Sequence, residues 1–286
     1  MYNLSDINTV KAVLSRHGFT FSKQLGQNFL IDPDVCPTMA EYAVTGSETG
    51  VIEIGAGVGV LTAELLKRAK KVVSIELDRR LLPVLDETLA DFDNFEVVND
   101  DILKVDLHAL IKEKFADCEE VVICANLPYY ITSPVIMKLL EDKLPVARII
   151  VMVQREAADR LTADVGSRES GAITVAVNFY SKAEKLFDVS RECFMPSPKV
   201  DSAVISLTPY SQPPVEVSDE KFFFSLVKAV FMQRRKTAVN SISSIMKIDK
   251  EKVVSALEHC GFSPTVRAEA LTLDELCRLS NELGKN

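Results

Sequence analysis

Between positions 50 and 153, short β-branched runs alternate with helical patterns, and this alternation constrains the fold more than any other feature of the 286-residue chain. The β-branched runs fall at 51–54, 72–75, 95–98, 121–124 and 148–151, and helical periodicity fills the gaps at 61–68, 79–89, 107–115 and 133–141. Such a pattern means strand–helix–strand units, hence a parallel sheet with helices on both faces. Two later β-rich runs, 173–180 and 202–207, read as antiparallel strands that extend the sheet.

The flanks of this block are helical. Before the first strand, Ser5 is a good N-cap, Ile7, Val10, Val13 and Leu14 share one apolar face, and Gly18 supplies a stop. After the last strand, the run Pro209-Tyr210-Ser211-Gln212-Pro213-Pro214 reads as a stiff linker and places a boundary after residue 209. Beyond it, helices are expected at 220–231, 236–246, 250–259 and 273–283, with Ser218 capping the first and Gly261 following the third. The expected organisation is an α/β domain over 1–209, whose first 49 residues form a helical extension, and an all-helical domain over 210–286.

Composition excludes several classes. With 47% hydrophobic and 26% charged residues the chain is of ordinary globular type, and apolar runs such as 147–153 are far too short to span a bilayer. The first 20 residues lack the basic end and apolar core of a secretion signal. Six cysteines stand without CxxC or metal-ligand spacing, which points to reduced thiols in a cytoplasmic protein and to no metal site. No interface signature is evident, so a monomer is expected. The net charge of −8 argues against a uniformly basic nucleic-acid binder, but charge is uneven. Acids dominate 86–106, whereas 222–247 carries Lys228, Arg234, Arg235, Lys236 and Lys247 and no acid. A local basic face is sufficient for RNA.

Glu53-Ile54-Gly55-Ala56-Gly57-Val58-Gly59 ends the first strand and opens a helix, where glycines let backbone approach a ligand closely. Nicotinamide, flavin and S-adenosylmethionine proteins all use such loops. The spacing GxGxG rather than GxGxxG, and the leading acid Glu53, tilt the reading toward a cofactor without a pyrophosphate. Glu76, followed by Leu77, ends the second strand, where a carboxylate can accept both ribose hydroxyls; by itself this fits a nicotinamide cofactor equally well. Asp101, followed by Ile102, lies just past the third strand. It is placed either to meet the cofactor adenine or simply to cap a turn. Together the three strand ends outline a nucleoside pocket at the C-terminal edge of the sheet.

Asn126-Leu127-Pro128-Tyr129 ends the fourth strand and names the reaction. An exocyclic adenine amine is a poor nucleophile because its lone pair is delocalised into the ring. A pair of acceptors, the Asn126 amide oxygen and the Leu127 carbonyl, can hold its N–H groups and favour a pyramidal nitrogen. Pro128 lacks an N–H and stiffens the turn. Tyr129 offers a face for an extruded base, worth roughly 1–3 kcal/mol. In-line methyl transfer then depends on positioning and preorganised electrostatics. Tyr130 reads either as a second stacking ring or as core, with core the default.

These motifs, in this order, resemble the small-subunit ribosomal RNA adenine N6,N6-dimethyltransferases, the family whose loss confers kasugamycin resistance. The resemblance also takes in Leu25-Gly26-Gln27-Asn28-Phe29-Leu30, the run from Phe194 to Val204 (Phe-Met-Pro-Ser-Pro-Lys-Val-Asp-Ser-Ala-Val), and Phe231-Met-Gln-Arg-Arg-Lys236. It implies a Rossmann-like class I methyltransferase fold, with a mostly parallel seven-stranded sheet and a small C-terminal helical domain. By the same resemblance Asn28, Leu30, Gly55, Ala56, Gly57, Glu76, Leu77, Asp101, Ile102 and Asn126 would hold S-adenosylmethionine, with S-adenosylhomocysteine as product. Phe194 would face Tyr129 across the target adenine. The implied reaction places four methyl groups on two adjacent adenosines in the 3′-terminal hairpin loop of small-subunit rRNA, within a pre-assembled subunit and as part of its biogenesis. Ala56 stands where many relatives have Pro, and Leu25 where an aromatic or basic residue is frequent.

Phosphate contacts are expected from Arg234, Arg235 and Lys236, a run that can also be a solvated helix terminus, with Lys23, Arg148, Arg155 and Lys199 as further candidates. Lys67, Arg68, Lys70 and Lys71 read instead as closing a helix. Competing readings are methylation of large-subunit adenine, an assembly factor that has lost catalysis, and methylation of DNA adenine or protein glutamine. The paired tyrosines and the 194–204 run favour the small subunit.

Overall fold

The computed structural model describes residues 2–20, 28–233 and 236–285. The chain divides into two compact units, Met1–Ala158 with Glu184–Pro209 and Asp159–Ala183 with Tyr210–Asn286. Pro209 is the last residue of the first unit and Tyr210 re-enters the second. The helical unit, however, also takes in a segment from inside the α/β region, because that segment is helical where a strand was expected.

The first unit is built on a seven-stranded sheet of β1 (Thr49–Ile54), β2 (Lys71–Ile75), β3 (Phe95–Val98), β4 (Glu120–Asn126), β5 (Arg148–Gln154), β6 (Ser181–Val189) and β7 (Ser202–Pro209), in the order β3-β2-β1-β4-β5-β7-β6. Strands β1 to β5 are parallel, and β7 runs antiparallel to β5 with Gln154 opposite Ser202. Every residue of β1 is buried, as a central parallel strand covered on both faces requires. The chain leaves β1 toward β2 on one side and returns as β4 on the other, so the crevice of the sheet opens above the ends of these strands.

Helices α1 (Ile7–Arg16), α2 (Val35–Ala43), α3 (Val60–Leu66), α4 (Leu82–Thr88), α5 (Leu107–Lys114), α6 (Thr132–Glu141) and α7 (Arg155–Leu161) complete the α/β region. Asp6 rather than Ser5 caps α1, accepting the Thr9 N–H at 2.9 Å. The apolar face of α1 packs Val10, Val13 and Leu14 with Phe29, Val58, Leu81 and Val84. Glu87 holds the same helix by accepting the Tyr2 hydroxyl at 2.6 Å together with Arg16, and this pulls its carboxyl down to about 2. Lys67, Arg68, Lys70 and Lys71 each sit against a carboxylate (Glu64, Glu64 and Glu41, Glu48, Glu96). All six cysteines are free thiols.

Arg148 requires a correction. It begins β5 and so lies at the strand edge opposite the crevice. Its guanidinium is bound by Glu120 at 3.1 Å and by the Ala43 carbonyl at 3.0 Å. It ties the end of α2 to the sheet and is not a phosphate contact.

The second unit comprises α8 (Ala172–Tyr180), α9 (Glu220–Met232), α10 (Ala238–Met246), α11 (Lys250–His259) and α12 (Leu273–Leu283). The strand expected over 173–180 is the helix α8. Its apolar residues fall at helical spacing, and Phe179 packs on Phe223 and Phe224 with ring centroids 5.4 and 5.3 Å apart. Burial on the α9 aromatics outweighs the β propensity of Ile173, Val175 and Val177. The sheet takes the more polar Ser181–Val189 instead, as its edge strand. Asp219, not Ser218, caps α9, and Thr272 with Glu275 forms a capping box on α12. Among the described residues, no helix is long and apolar enough to cross a membrane.

Candidate active site

A cleft of about 360 Å³ opens at the C-terminal ends of β1, β2 and β4. Asn28, Leu30, Gly55, Ala56, Gly57, Glu76, Leu77, Asp101, Ile102, Asn126, Leu127, Pro128, Tyr129 and Phe194 all line it. The loop after β1 turns through left-handed glycines, with φ +79° at Gly55 and +59° at Gly57. A Cβ at Gly55 would meet no atom within 4 Å, so bare backbone faces open space. A Cβ at Gly57 would lie 3.2 Å from the Phe29 ring, which rests on the loop.

Glu76 is 6% exposed at the end of β2. One carboxylate oxygen accepts the Gly57 N–H at 3.0 Å and the other the Asp78 N–H at 2.8 Å. Burial raises its pKa, and these two backbone donors oppose the rise. Each oxygen retains a lone pair for a further donor. Asn99 holds the strand end by donating to the Glu76 carbonyl at 2.7 Å. The Asp101 carboxylate caps a turn by accepting the Leu103 N–H at 3.0 Å, and the residue also lines the cleft. Leu77, 48% exposed, and the buried Ile102 present apolar surface suited to a flat ring.

Glu53 does not line the cleft. It is fully buried; Thr62 donates to its Oε2 at 2.7 Å, Ser74 donates to the same oxygen, and Oε1 has no partner. Burial pushes its pKa up to about 7. The leading acid of the loop therefore joins β1, β2 and α3 from beneath.

The Leu127 N–H donates to the Met152 carbonyl at 3.1 Å, which fixes the exit of β4 against β5. Among the described residues the Asn126 side-chain amide has no hydrogen-bond partner, and it borders the cleft. Pro128, with φ −57°, starts the turn Tyr129–Ile131. The Tyr129 hydroxyl is 2.7 Å from Ser202 Oγ, and burial raises its pKa. Tyr130 is not core: it is 53% exposed at the cleft mouth, because the turn points it outward.

Phe194 is brought in from far along the chain. Phe29 and Leu30 pair antiparallel with Met195 and Phe194, the Ile31 N–H donates to the Cys193 carbonyl at 2.9 Å, and the Cys193 thiol donates to Asp32 at 3.4 Å. Burial and the neighbouring carboxylate push that thiol up to about 11. Phe29 lines the cleft and Ser202 supports it through Tyr129, in addition to the residues expected there; Phe29 is signalled in the sequence by standing between Asn28 and Leu30.

The candidate phosphate contacts fall in both units. Arg155 pairs with Asp201 at 3.4 Å, Lys199 is exposed nearby in sequence, and Lys236 is exposed in the helical unit. Lys23, Arg234 and Arg235 lie outside the described residues.

The family described as ribosomal RNA adenine dimethylase matches residues 18–285. Proteins named ribosomal RNA small subunit methyltransferase A from Bacillus mycoides (strain KBAB4) and Bacillus cereus (strain B4264) are each 47% identical over 99% of this chain and 98% of their own length. Among solved structures, a dimethyladenosine transferase from Plasmodium falciparum matches with TM-score 0.70 at 27% identity, covering 88% of this chain and 95% of that one. The 23S rRNA methyltransferase ErmE matches with TM-score 0.65 at 29% identity, covering 90% of this chain and all of the other. A cleft of nucleoside size, closed at its mouth by Asn126-Leu127-Pro128-Tyr129, thus sits in a chain matched end to end by rRNA methyltransferases, and the chain belongs to the ribosomal RNA adenine dimethylase family.

Proposed function

We propose that this protein dimethylates the N6 amino groups of two adjacent adenosines in the 3′-terminal hairpin loop of small-subunit rRNA, in the cytoplasm, as a monomer acting on an assembled or partly assembled subunit. The observation that carries the reading is the Asn126 amide, without a hydrogen-bond partner among the described residues, lining the same cleft as the Glu76 carboxylate and the Gly55–Gly57 backbone. The 47% identity to small-subunit methyltransferases over nearly the whole chain favours that RNA over the large subunit.

The residues present fit S-adenosylmethionine. Gly55 leaves a cradle that any Cβ would fill, Glu76 keeps two acceptor sites for ribose hydroxyls, Leu77 and Ile102 flank space for an adenine, and Asp101 can accept its amino group. Asn28 and Leu30 border the same space. When bound, this cofactor supplies a methyl group on a positively charged sulfur and leaves as S-adenosylhomocysteine.

The rest is the work of the chain. The Asn126 amide oxygen and the Leu127 carbonyl accept the two N–H groups of the target amine, drawing its lone pair out of the ring. Tyr129 and Phe194 supply opposing faces for the base, which must leave its stack to be reached. The turn rigidified by Pro128 keeps the acceptors still, so little reorganisation accompanies reaction. Arg155, Lys199 and Lys236 are proposed phosphate contacts, with Lys23, Arg234 and Arg235 proposed from the sequence alone.

The test is label transfer from methyl-tritiated cofactor to purified unmethylated subunits. Label in small-subunit adenines supports the proposal. Label confined to the large subunit, the reaction named for ErmE, overturns it.

A further inference from the structure

Two consecutive residues, Asp201 just before β7 and Ser202 at its start, are tied to the turn that precedes Phe194 and to the Tyr129 hydroxyl. Ser202, fully buried, lies with its Oγ 2.7 Å from the Tyr129 hydroxyl. Asp201, beside it, accepts the Arg191 N–H on Oδ1 at 3.1 Å, while its Oδ2 pairs with Arg155 at 3.4 Å and its carbonyl accepts the Arg155 N–H at 3.0 Å. Arg191 opens the short turn Arg191–Cys193 that delivers Phe194. Ser202 opens a strand in register against β5, opposite Gln154, and Asp201 just before it is held by the Arg155 N–H.

We infer that Asp201 and Ser202 are positioning residues that mount the base-binding slot on the sheet, Ser202 through Tyr129 and Asp201 through the turn bearing Phe194. The inference rests on the reading of those two rings as the faces that take the target adenine. A phenol bonded at its far end cannot swing about its Cα–Cβ bond. A turn held by a carboxylate at its first N–H and by strand pairing at Phe194 is fixed at both ends. Because the anchors are consecutive residues at the entry to β7, the gap between the rings is set by that strand end and not by the two loops that carry them. Neither anchor lines the cleft, so neither is catalytic.

The test uses the full-length protein and unmethylated small subunits. Ser202→Ala and Tyr129→Phe each remove one side of the same hydrogen bond. Both are expected to lower methyl transfer about 5- to 10-fold and to raise the share of monomethylated adenosine. Their combination should be no worse than either alone, since both remove one interaction. Ser202→Thr, which keeps the hydroxyl, should restore turnover. Asp201→Asn, which keeps an acceptor for Arg191, should outperform Asp201→Ala. Affinity for S-adenosylhomocysteine should stay at the parental value throughout, which also reports folding. If Ser202→Ala does not fold, Tyr129→Phe alone carries the test. Parental turnover in Ser202→Ala and Tyr129→Phe, or losses that multiply in the double variant, overturns the inference while leaving the slot intact. Tyr129→Ala separates the two levels: parental turnover there overturns the slot itself, and the inference with it.

Discussion

The Glu76 carboxylate accepts the Gly57 N–H at 3.0 Å, so the end of β2 and the glycine loop after β1 are joined by the same group proposed to bind the cofactor ribose. Binding and scaffold are one structure here, since the carboxylate orients the loop that it shares the ligand with. Glu76→Ala removes two charge-assisted hydrogen bonds to ribose, each worth about 1.5–3 kcal/mol, so the cofactor Kd should rise about 100-fold or more by calorimetry. Burial raises the Glu76 pKa and the ribose hydroxyls need the ionised acceptor, so affinity should increase with pH through that raised value. A pH-independent Kd would contradict this role.

Glu53 predicts a pH dependence of stability. Its carboxyl titrates near 7 in the fold against 4.5 for the free group, so between those values the folded state holds a proton that the unfolded chain has released. Stability from this group is therefore present below pH 4.5 and lost as pH rises toward and through 7, by roughly 3 kcal/mol. Thermal unfolding of Glu53→Gln should fall less steeply between pH 5 and 8 than that of the parent. Parallel curves would show that the buried carboxyl does not titrate in this range.

Asn126→Ala should cut the rate of methyl transfer to small subunits by about 100- to 1,000-fold, the usual effect of deleting one preorganised polar group at the reacting centre. Single-turnover labelling measures it directly. An unchanged rate would move the acceptor role away from Asn126.

Gly57→Ala places a Cβ 3.2 Å from the Phe29 ring at a φ of +59°. The left-handed conformation alone costs a non-glycine residue about 1–2 kcal/mol. The expected result is a lower Tm and a cofactor Kd raised about tenfold. A parental Tm with parental affinity would mean that the Phe29 arm yields freely.

Arg148→Ala should lower stability by about 1–2 kcal/mol by stranding Glu120 and the Ala43 carbonyl, while RNA methylation per folded molecule stays at the parental level. Loss of RNA affinity without loss of stability would return Arg148 to the RNA face.

The cleft-lining residues on the strand ends were legible in the sequence because they are local features of a repeating unit. A β-branched run followed by Gly55-Ala56-Gly57, by Glu76 or by Asn126-Leu127-Pro128-Tyr129 specifies both a strand and the edge where its last residues emerge. The four tail helices were legible for the same reason, through caps and periodicity. What the tertiary structure alone decided depends on partners remote in the chain. Residues 172–180 became helix because the α9 aromatics bury them, and no local count of β-branched residues contains that term. Arg148 turned from an RNA candidate into a brace once Glu120 and Ala43 stood beside it. Tyr130 left the core because a turn faced it outward. Ser202 acquired meaning only through Tyr129, 73 residues away, since a hydroxyl at a strand start has no local sign of the ring it holds. Sequence thus determined which groups can do the chemistry, and long-range packing decided what holds them in place.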